Sequence, residues 1–340
     1  MDLIYFRKGN LLEDPADALV NTVNTVGVMG KGIALQFKQA FPEVYREYEK
    51  ECRKGNVNVG SMHVVPINSL VGPKYVINFP TKKHWRENSK IEYIVDGLDA
   101  LVDVCTQLEL KTVAIPPLGC GNGGLHWSQV RPLIEEKFEK GSIDAYVYVP
   151  AGSPQSDKMK IGTTKPKMTK SRALLLSVMG DYMVPGYRLS LLEIQKLAYF
   201  LQEVGEPLKL DFAKGKYGPY AENLNFVLQR LEGHYIRGYG DRNSQANISL
   251  IKNAKESSLA FLSNDKNSEG ILSRIEQVIY GFETPYGMEL LATVHWIMKE
   301  YNSLTSEDLV DAVHSWNERK KKIFTPNHIE KARQHLMEVF

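Results

Sequence analysis

Ala18-Leu19-Val20-Asn21-Thr22-Val23-Asn24-Thr25-Val26-Gly27-Val28-Met29-Gly30-Lys31-Gly32-Ile33-Ala34 decides how the first half of the chain folds. Residues 18–23 form a short apolar run, the mark of a buried strand. A glycine cluster follows. Residues 33–41 then carry apolar side chains at Ile33, Ala34, Phe37 and Phe41, the spacing of one helix face. The order strand, glycine loop, helix puts backbone N–H groups beyond the carboxyl end of a strand, where open α/β sheets bind ligands. Glycine lets those groups approach an anion closely, and the helix N-terminus adds a partial positive charge.

The same order recurs downstream. A strand over residues 112–115 leads into Leu118-Gly119-Cys120-Gly121-Asn122-Gly123-Gly124, and a helix follows over residues 127–138. Further strands are expected over residues 3–6, 62–65, 75–79 and 145–149, with a helix over residues 91–108. Strands alternating with helices predict a largely parallel sheet covered on both faces. Two glycine loops in one small domain point to a diphosphate. The first loop is not a Walker A loop, because Lys31 is followed by Gly32, and it lacks the G-x-G-x-x-G spacing.

Over residues 151–172 the composition shifts to Gly, Ser, Thr, Pro and Lys with almost no apolar pattern. The domains are therefore expected at 1–152 and 173–340, joined by a mobile linker over 153–172. The second half reads as mainly helical. Ser190 with Glu193 predicts a capping box, as does Thr305 with Asp308, and Thr325-Pro326 marks another helix start. Tyr217-Gly218-Pro219-Tyr220 reads as a sharp turn into a helix over 222–231, and the charges of residues 315–322 as a weak candidate for a DNA contact.

Gly9-Asn10-Leu11-Leu12, the Asn21–Ala34 phrase and Pro117-Leu118-Gly119-Cys120-Gly121 together resemble the macrodomain family over residues 1 to about 150. The resemblance implies an α/β fold, a three-layer α/β/α macrodomain with a mixed sheet, that binds ADP-ribose. By it, Gly30, Lys31, Gly32 and Ile33 of the first loop, and Gly119, Cys120, Gly121, Asn122 and Gly123 of the second, clasp the diphosphate and distal ribose. Asn21 and Asn24 belong to the strand end facing that ribose, Asn24 as the contact and Asn21 more for packing and backbone bonds, and Thr25 joins the ADP-ribose-binding residues. Asn10 and Leu11 lie toward the adenine; many macrodomains have an aspartate where this chain has Asn10, whose carbonyl can accept the same hydrogen bond.

Asn78-Phe79-Pro80-Thr81-Lys82-Lys83-His84-Trp85-Arg86 refines the match. It resembles the branch that includes terminal ADP-ribose protein glycohydrolase, and most closely the DNA ADP-ribosyl glycohydrolase antitoxins. That resemblance implies a catalytic Lys82, removal of ADP-ribose from thymidine in single-stranded DNA, and a C-terminal domain that binds and neutralises a DarT-like toxin. A deprotonated Lys82 can attack C1″ or its ring-opened aldehyde, or the lysine can position ribose and water without a covalent bond. The first route requires a lowered pKa. Lys83, His84, Trp85 and Arg86 are candidate DNA contacts, the basic groups for phosphates and the rings for bases. The second loop has Asn122-Gly123-Gly124 where the protein glycohydrolase has an acidic residue. The alternatives are a reader that binds ADP-ribose without hydrolysis, and a hydrolase acting on ADP-ribosylated protein.

Bulk properties agree with two ordinary globular domains. The chain has 340 residues, 43% of them hydrophobic and 24% charged, with a net charge of +2, which gives no whole-chain signature for nucleic acid. Cys52, Cys105 and Cys120 are too few and too scattered for a disulfide framework or a zinc site, so no metal or cofactor is expected. Cys120, with no histidine near it in sequence, reads as a packing residue. The N-terminus lacks the pattern of a signal peptide, and no apolar run is long enough to span a membrane, which predicts a cytoplasmic protein.

Overall fold

The computed structural model describes residues 3–67, 71–139, 141–243, 245–301 and 304–340. It divides into two compact units. The first comprises Met1–Thr164 and Gly240–Ser244, the second Lys165–Tyr239 and Gln245–Phe340.

The first unit is built on six strands, β1 (Ile4–Arg7), β2 (Ala18–Asn24), β3 (His63–Pro66), β4 (Tyr75–Lys82), β5 (Thr112–Ile115) and β6 (Asp144–Tyr148). Their order is β1-β6-β5-β2-β4-β3. Neighbours run parallel except β3, which pairs antiparallel with β4 at the edge. The sheet is therefore mixed.

Side chains alternate across it, as strand geometry requires. Ala18 and Val20 of β2, with Ile77 and Phe79 of β4, pack on α3 (Ile91–Gln107) and α4 (Trp127–Phe138) through Ile94, Leu98, Val130 and Ile134. Leu19 and Val76 face the other way, toward Phe37 of α1 (Gly32–Ala40) and Val44 of α2 (Pro42–Arg53). The result is three layers, α/β/α. Sequence patterning leaves α2 unassigned, because only Val44 and Tyr48 of its residues are buried and most of the rest are charged. Proline at its first turn starts it.

One correction concerns residues 153–172. The expected linker does not run free along its length. The Gly162 N–H donates to the Gln39 carbonyl at 2.8 Å, Met159 is buried, and residues 153–164 belong to the first unit. A Cβ on Gly162 would stand 2.2 Å from the Ala40 carbonyl oxygen, so glycine is what lets the chain lie this close. The next helix, α5 (Lys170–Tyr182), already begins at Lys170 behind a Thr169 cap.

The second unit is mainly helical, with α6 (Leu191–Glu203), α7 (Leu224–Leu231), α8 (Ala254–Leu262), α9 (Lys266–Ile279), α10 (Pro285–Glu300), α11 (Ser306–Ser315), α12 (Glu318–Ile323) and α13 (Pro326–Val339) following α5. Both capping boxes form, at Ser190 and Thr305, and Thr325 caps the helix that Pro326 opens. Two readings of this half need correcting. Gly218-Pro219-Tyr220-Ala221 is not a turn into a helix but a strand, paired antiparallel with Phe212–Gly215. Residues 315–322 do not present one basic face: Lys320 is fully buried, its ammonium 2.7 Å from the Glu289 carboxylate.

α3 lies close on the sheet because Gly97 has no side chain. A Cβ there would meet the Phe79 ring at 2.2 Å. Gly97→Ala raises helix propensity by ~1 kcal/mol, yet it should destabilise the protein by about 1–3 kcal/mol through overpacking. Urea unfolding monitored by tryptophan fluorescence checks the sign.

Candidate active site

Because β5, β2 and β4 are consecutive and parallel, the segments that leave their carboxyl ends meet at one edge of the sheet. These are the first glycine loop, the second glycine loop and the Lys82–Arg86 stretch. The sequence spacing brings together what it predicts.

The first loop is shaped by Asn24. Its side-chain oxygen accepts from the Val26 and Val28 N–H groups at 3.1 and 3.2 Å, and its amide nitrogen donates to the Val28 carbonyl at 2.6 Å. The buried Tyr48 hydroxyl donates to the Asn24 carbonyl at 2.6 Å. The Asn24 side chain is thus engaged with loop backbone. Asn21 lies deeper, donating to Asn78 at 2.9 Å, and Asn78 in turn contacts His63. Burial holds the His63 imidazole below its ordinary pKa. Thr25 ties the loop to the next stretch, its N–H and hydroxyl both donating to the Lys83 carbonyl at 3.2 and 2.8 Å. Gly30 and Ile33 are partly exposed and Lys31 is exposed, while Gly32 is buried with its N–H on the Asp241 carbonyl at 2.8 Å.

The second loop is held from beneath by Ser89. Its N–H donates to the Gly123 carbonyl at 2.9 Å, and a Cβ on Gly123 would collide with the Ser89 hydroxyl at 2.3 Å and the Gly119 carbonyl at 2.4 Å. Gly119 also has φ +69, a left-handed conformation that favours glycine. Gly121 sits between them in open space. The Cys120 thiol faces the Leu118 carbonyl at 3.4 Å, and burial pushes its pKa up to about 11. A raised pKa disfavours the thiolate, in keeping with the reading of Cys120 as a packing residue.

Lys82 ends β4 and pairs across the ladder with Asn24, beyond a register shift at Val23/Asn24. Its Nζ donates to the Asn122 carbonyl at 2.7 Å and to the Glu87 carbonyl at 3.2 Å. Partial burial lowers its pKa from that of a free lysine. Beside it, Trp85 is 45% exposed, with the Arg86 guanidinium 4.2 Å from its ring centroid and the His84 ring 5.4 Å away. Lys83 is exposed. At the far end of the sheet edge, Asn10 caps the 3₁₀ turn Leu11–Glu13, accepting from the Leu12 N–H at 3.1 Å and donating to Glu13 at 3.0 Å, above the buried Leu11.

Comparison with known proteins gives this geometry its family. The Macro domain family matches residues 20–134. A Thermus aquaticus protein named DNA ADP-ribosyl glycohydrolase is 47% identical over 336 residues, covering 98% of this chain and 93% of that protein. The chain belongs to the DNA ADP-ribosyl glycohydrolase family. The solved macrodomain of Mycobacterium tuberculosis DarG is 52% identical, covers 44% of this chain and 98% of that one, and superposes with a TM-score of 0.43. A Thermosipho africanus DNA ADP-ribosyl transferase–DNA ADP-ribosyl glycohydrolase fusion protein is 34% identical over 158 residues, which is 42% of this chain and 41% of the fusion.

Sequence reasoning missed Ser89 and the Gly240-Asp241-Arg242-Asn243 stretch. Asp241 bonds a residue 205 positions before it, Gln36, and no local spacing signals such a contact. The stretch itself reads only as a turn. Among the described residues no cluster of His, Cys, Asp and Glu is arranged to hold a metal, and no helix is long and apolar enough to cross a membrane.

Asn24 gives a direct test of how the first loop is built. Asn24→Ala leaves the Val26 and Val28 N–H groups without their acceptor, and should cost about 1–3 kcal/mol. Amide hydrogen exchange should show the Val28 N–H losing protection first, before the strands respond.

Proposed function

We propose that the first unit removes ADP-ribose from thymidine in single-stranded DNA, with Lys82 as the catalytic residue, and that the second unit binds and neutralises a DarT-like ADP-ribosyltransferase toxin. The observation that carries the enzymatic reading is the seat of Lys82. A neutral amine has two N–H donors, and Lys82 has two carbonyl acceptors, those of Asn122 and Glu87. Both N–H groups being used, the nitrogen lone pair is left to point at a ligand lying between the glycine loops. Burial favours that neutral form.

In this reading the loops hold the diphosphate by backbone N–H groups, and the distal ribose reaches Lys82. The amine adds to C1″ as the C1″–N bond to thymine breaks, and the bond's electron pair leaves with the base, which takes a proton. The glycosylamine so formed opens its ring, C1″–O4″ breaking as O4″ takes a proton given up by the amine nitrogen, which leaves C1″ doubly bonded to that nitrogen. Water then hydrolyses the resulting imine, restoring the amine and freeing ADP-ribose. No second-loop carboxylate is needed for the first step. Trp85 with Arg86 offers a surface on which a base of the strand can stack. The reading of the second unit is supported by the similarity to the transferase–glycohydrolase fusion and by the full-length similarity to the Thermus aquaticus protein.

Thymidine-ADP-ribosylated single-stranded DNA and carboxylate-ADP-ribosylated protein, each incubated with the full chain and with Lys82→Ala, separate the alternatives. The expected result is release from DNA by the wild type and a loss of at least about a hundredfold in the variant. Binding without release would make the protein a reader, and release only from protein would move the substrate. Trp85→Ala should raise KM for the DNA by about tenfold, since stacking is worth about 1–3 kcal/mol per base, and leave ADP-ribose affinity unchanged. For the second unit, the full-length Lys82→Ala chain should still co-purify with the toxin and suppress it; loss of both would remove the toxin-binding assignment.

A further inference from the structure

The N-terminus of α1 meets a late stretch of chain within the same unit, Gly240-Asp241-Arg242-Asn243. Asp241 is fully buried and anchors it. Gln36 Nε2 and the Ser153 hydroxyl donate to its Oδ2 at 2.8 and 2.6 Å, and the Asn243 N–H donates to its Oδ1 at 3.0 Å. Its carbonyl accepts the Gly32 N–H at 2.8 Å. A buried carboxylate with three donors is held in one place, so the Asn243 side chain starts from a fixed point.

That side chain returns to the first glycine loop. The Asn243 amide nitrogen lies 2.9 Å, and the Asn122 amide nitrogen 2.8 Å, from where a Cβ on Gly32 would stand. One comes from the late stretch, the other from the second glycine loop. Among the described residues neither nitrogen donates to a protein acceptor. Both N–H₂ groups lie against Gly32, and both residues are exposed, so their N–H bonds remain for an acceptor that approaches this face of the loop. The Asp241 carbonyl has already taken the Gly32 N–H from the loop. The Asn243 amide supplies donors to the same place.

We infer that Asn243 is an ADP-ribose-binding residue, donating together with Asn122 to an oxygen of the diphosphate held at Gly32. The inference rests on the ADP-ribose reading above. It makes the phosphate clasp three-sided, with one side contributed from beyond residue 239. Gly32 is then glycine for a reason besides its positive φ of +61, since a Cβ there would collide with both amide nitrogens and push them from their places.

Calorimetric titration of the full chain with ADP-ribose tests this with two variants at an exposed position. Asn243→Ala removes the donors and should weaken binding by about tenfold. Asn243→Asp sets a negative charge against the diphosphate and should weaken it further, whereas a purely structural role would not order the two this way. In turnover the loss should appear in KM, with kcat kept, because Lys82 is untouched. Wild-type affinity in both variants would overturn the inference, and tighter binding would show that the stretch obstructs the site instead. A wild type that does not bind ADP-ribose at all would instead sink the ligand assignment on which the inference depends.

Discussion

The register shift between β2 and β4 governs the rest of the site. Up to Val23 the two strands pair residue for residue; one residue later Asn24 stands opposite Lys82 instead of Thr81. Side chains alternate faces along a strand, so this single slip decides which of Thr81 and Lys82 reaches the ligand side. Thr81 is buried, and Lys82 reaches the second glycine loop.

From that placement the chemistry follows through two physical effects. Desolvation lowers the lysine pKa, and the fixed carbonyls of Asn122 and Glu87 orient what remains. Carbonyl acceptors also stabilise an ammonium, so the two effects oppose each other. The pKa lies below that of a free lysine, lowered by burial. The glycine loops contribute chiefly with backbone, so Asn24, Tyr48 and Ser89 serve to hold loop geometry. A site made of backbone N–H groups is only as precise as the side chains beneath it.

Much of this was legible in residues 18–34 and 112–127, because strand, glycine loop and helix follow one another within a short stretch and each carries its own pattern. The role proposed for Lys82 comes only from family resemblance; by composition it is one of several basic residues close together. Three things stayed hidden. α2 carries its stripe, Val44, Tyr45, Tyr48 and Cys52, on tyrosines and a cysteine among many charged residues, so it does not read as an apolar run. The segment before Thr164 looks like a linker because its ordering comes from scattered contacts, the Gly162 backbone, the lone buried Met159 and the Ser153 hydroxyl, and not from an apolar period. Asp241 and Asn243 act across some two hundred residues of chain, a separation that no local rule reaches.

The pH dependence of kcat/KM for release of ADP-ribose from modified single-stranded DNA tests most directly the claim that Lys82 works as a neutral amine. The active form is the deprotonated one, and its fraction grows as pH rises toward the pKa. The account predicts a rate that climbs about tenfold per pH unit from acid and levels off at a bend below 10.5, the ordinary lysine value. A rate that is flat across roughly pH 6–10, or that falls as the amine deprotonates, would contradict it.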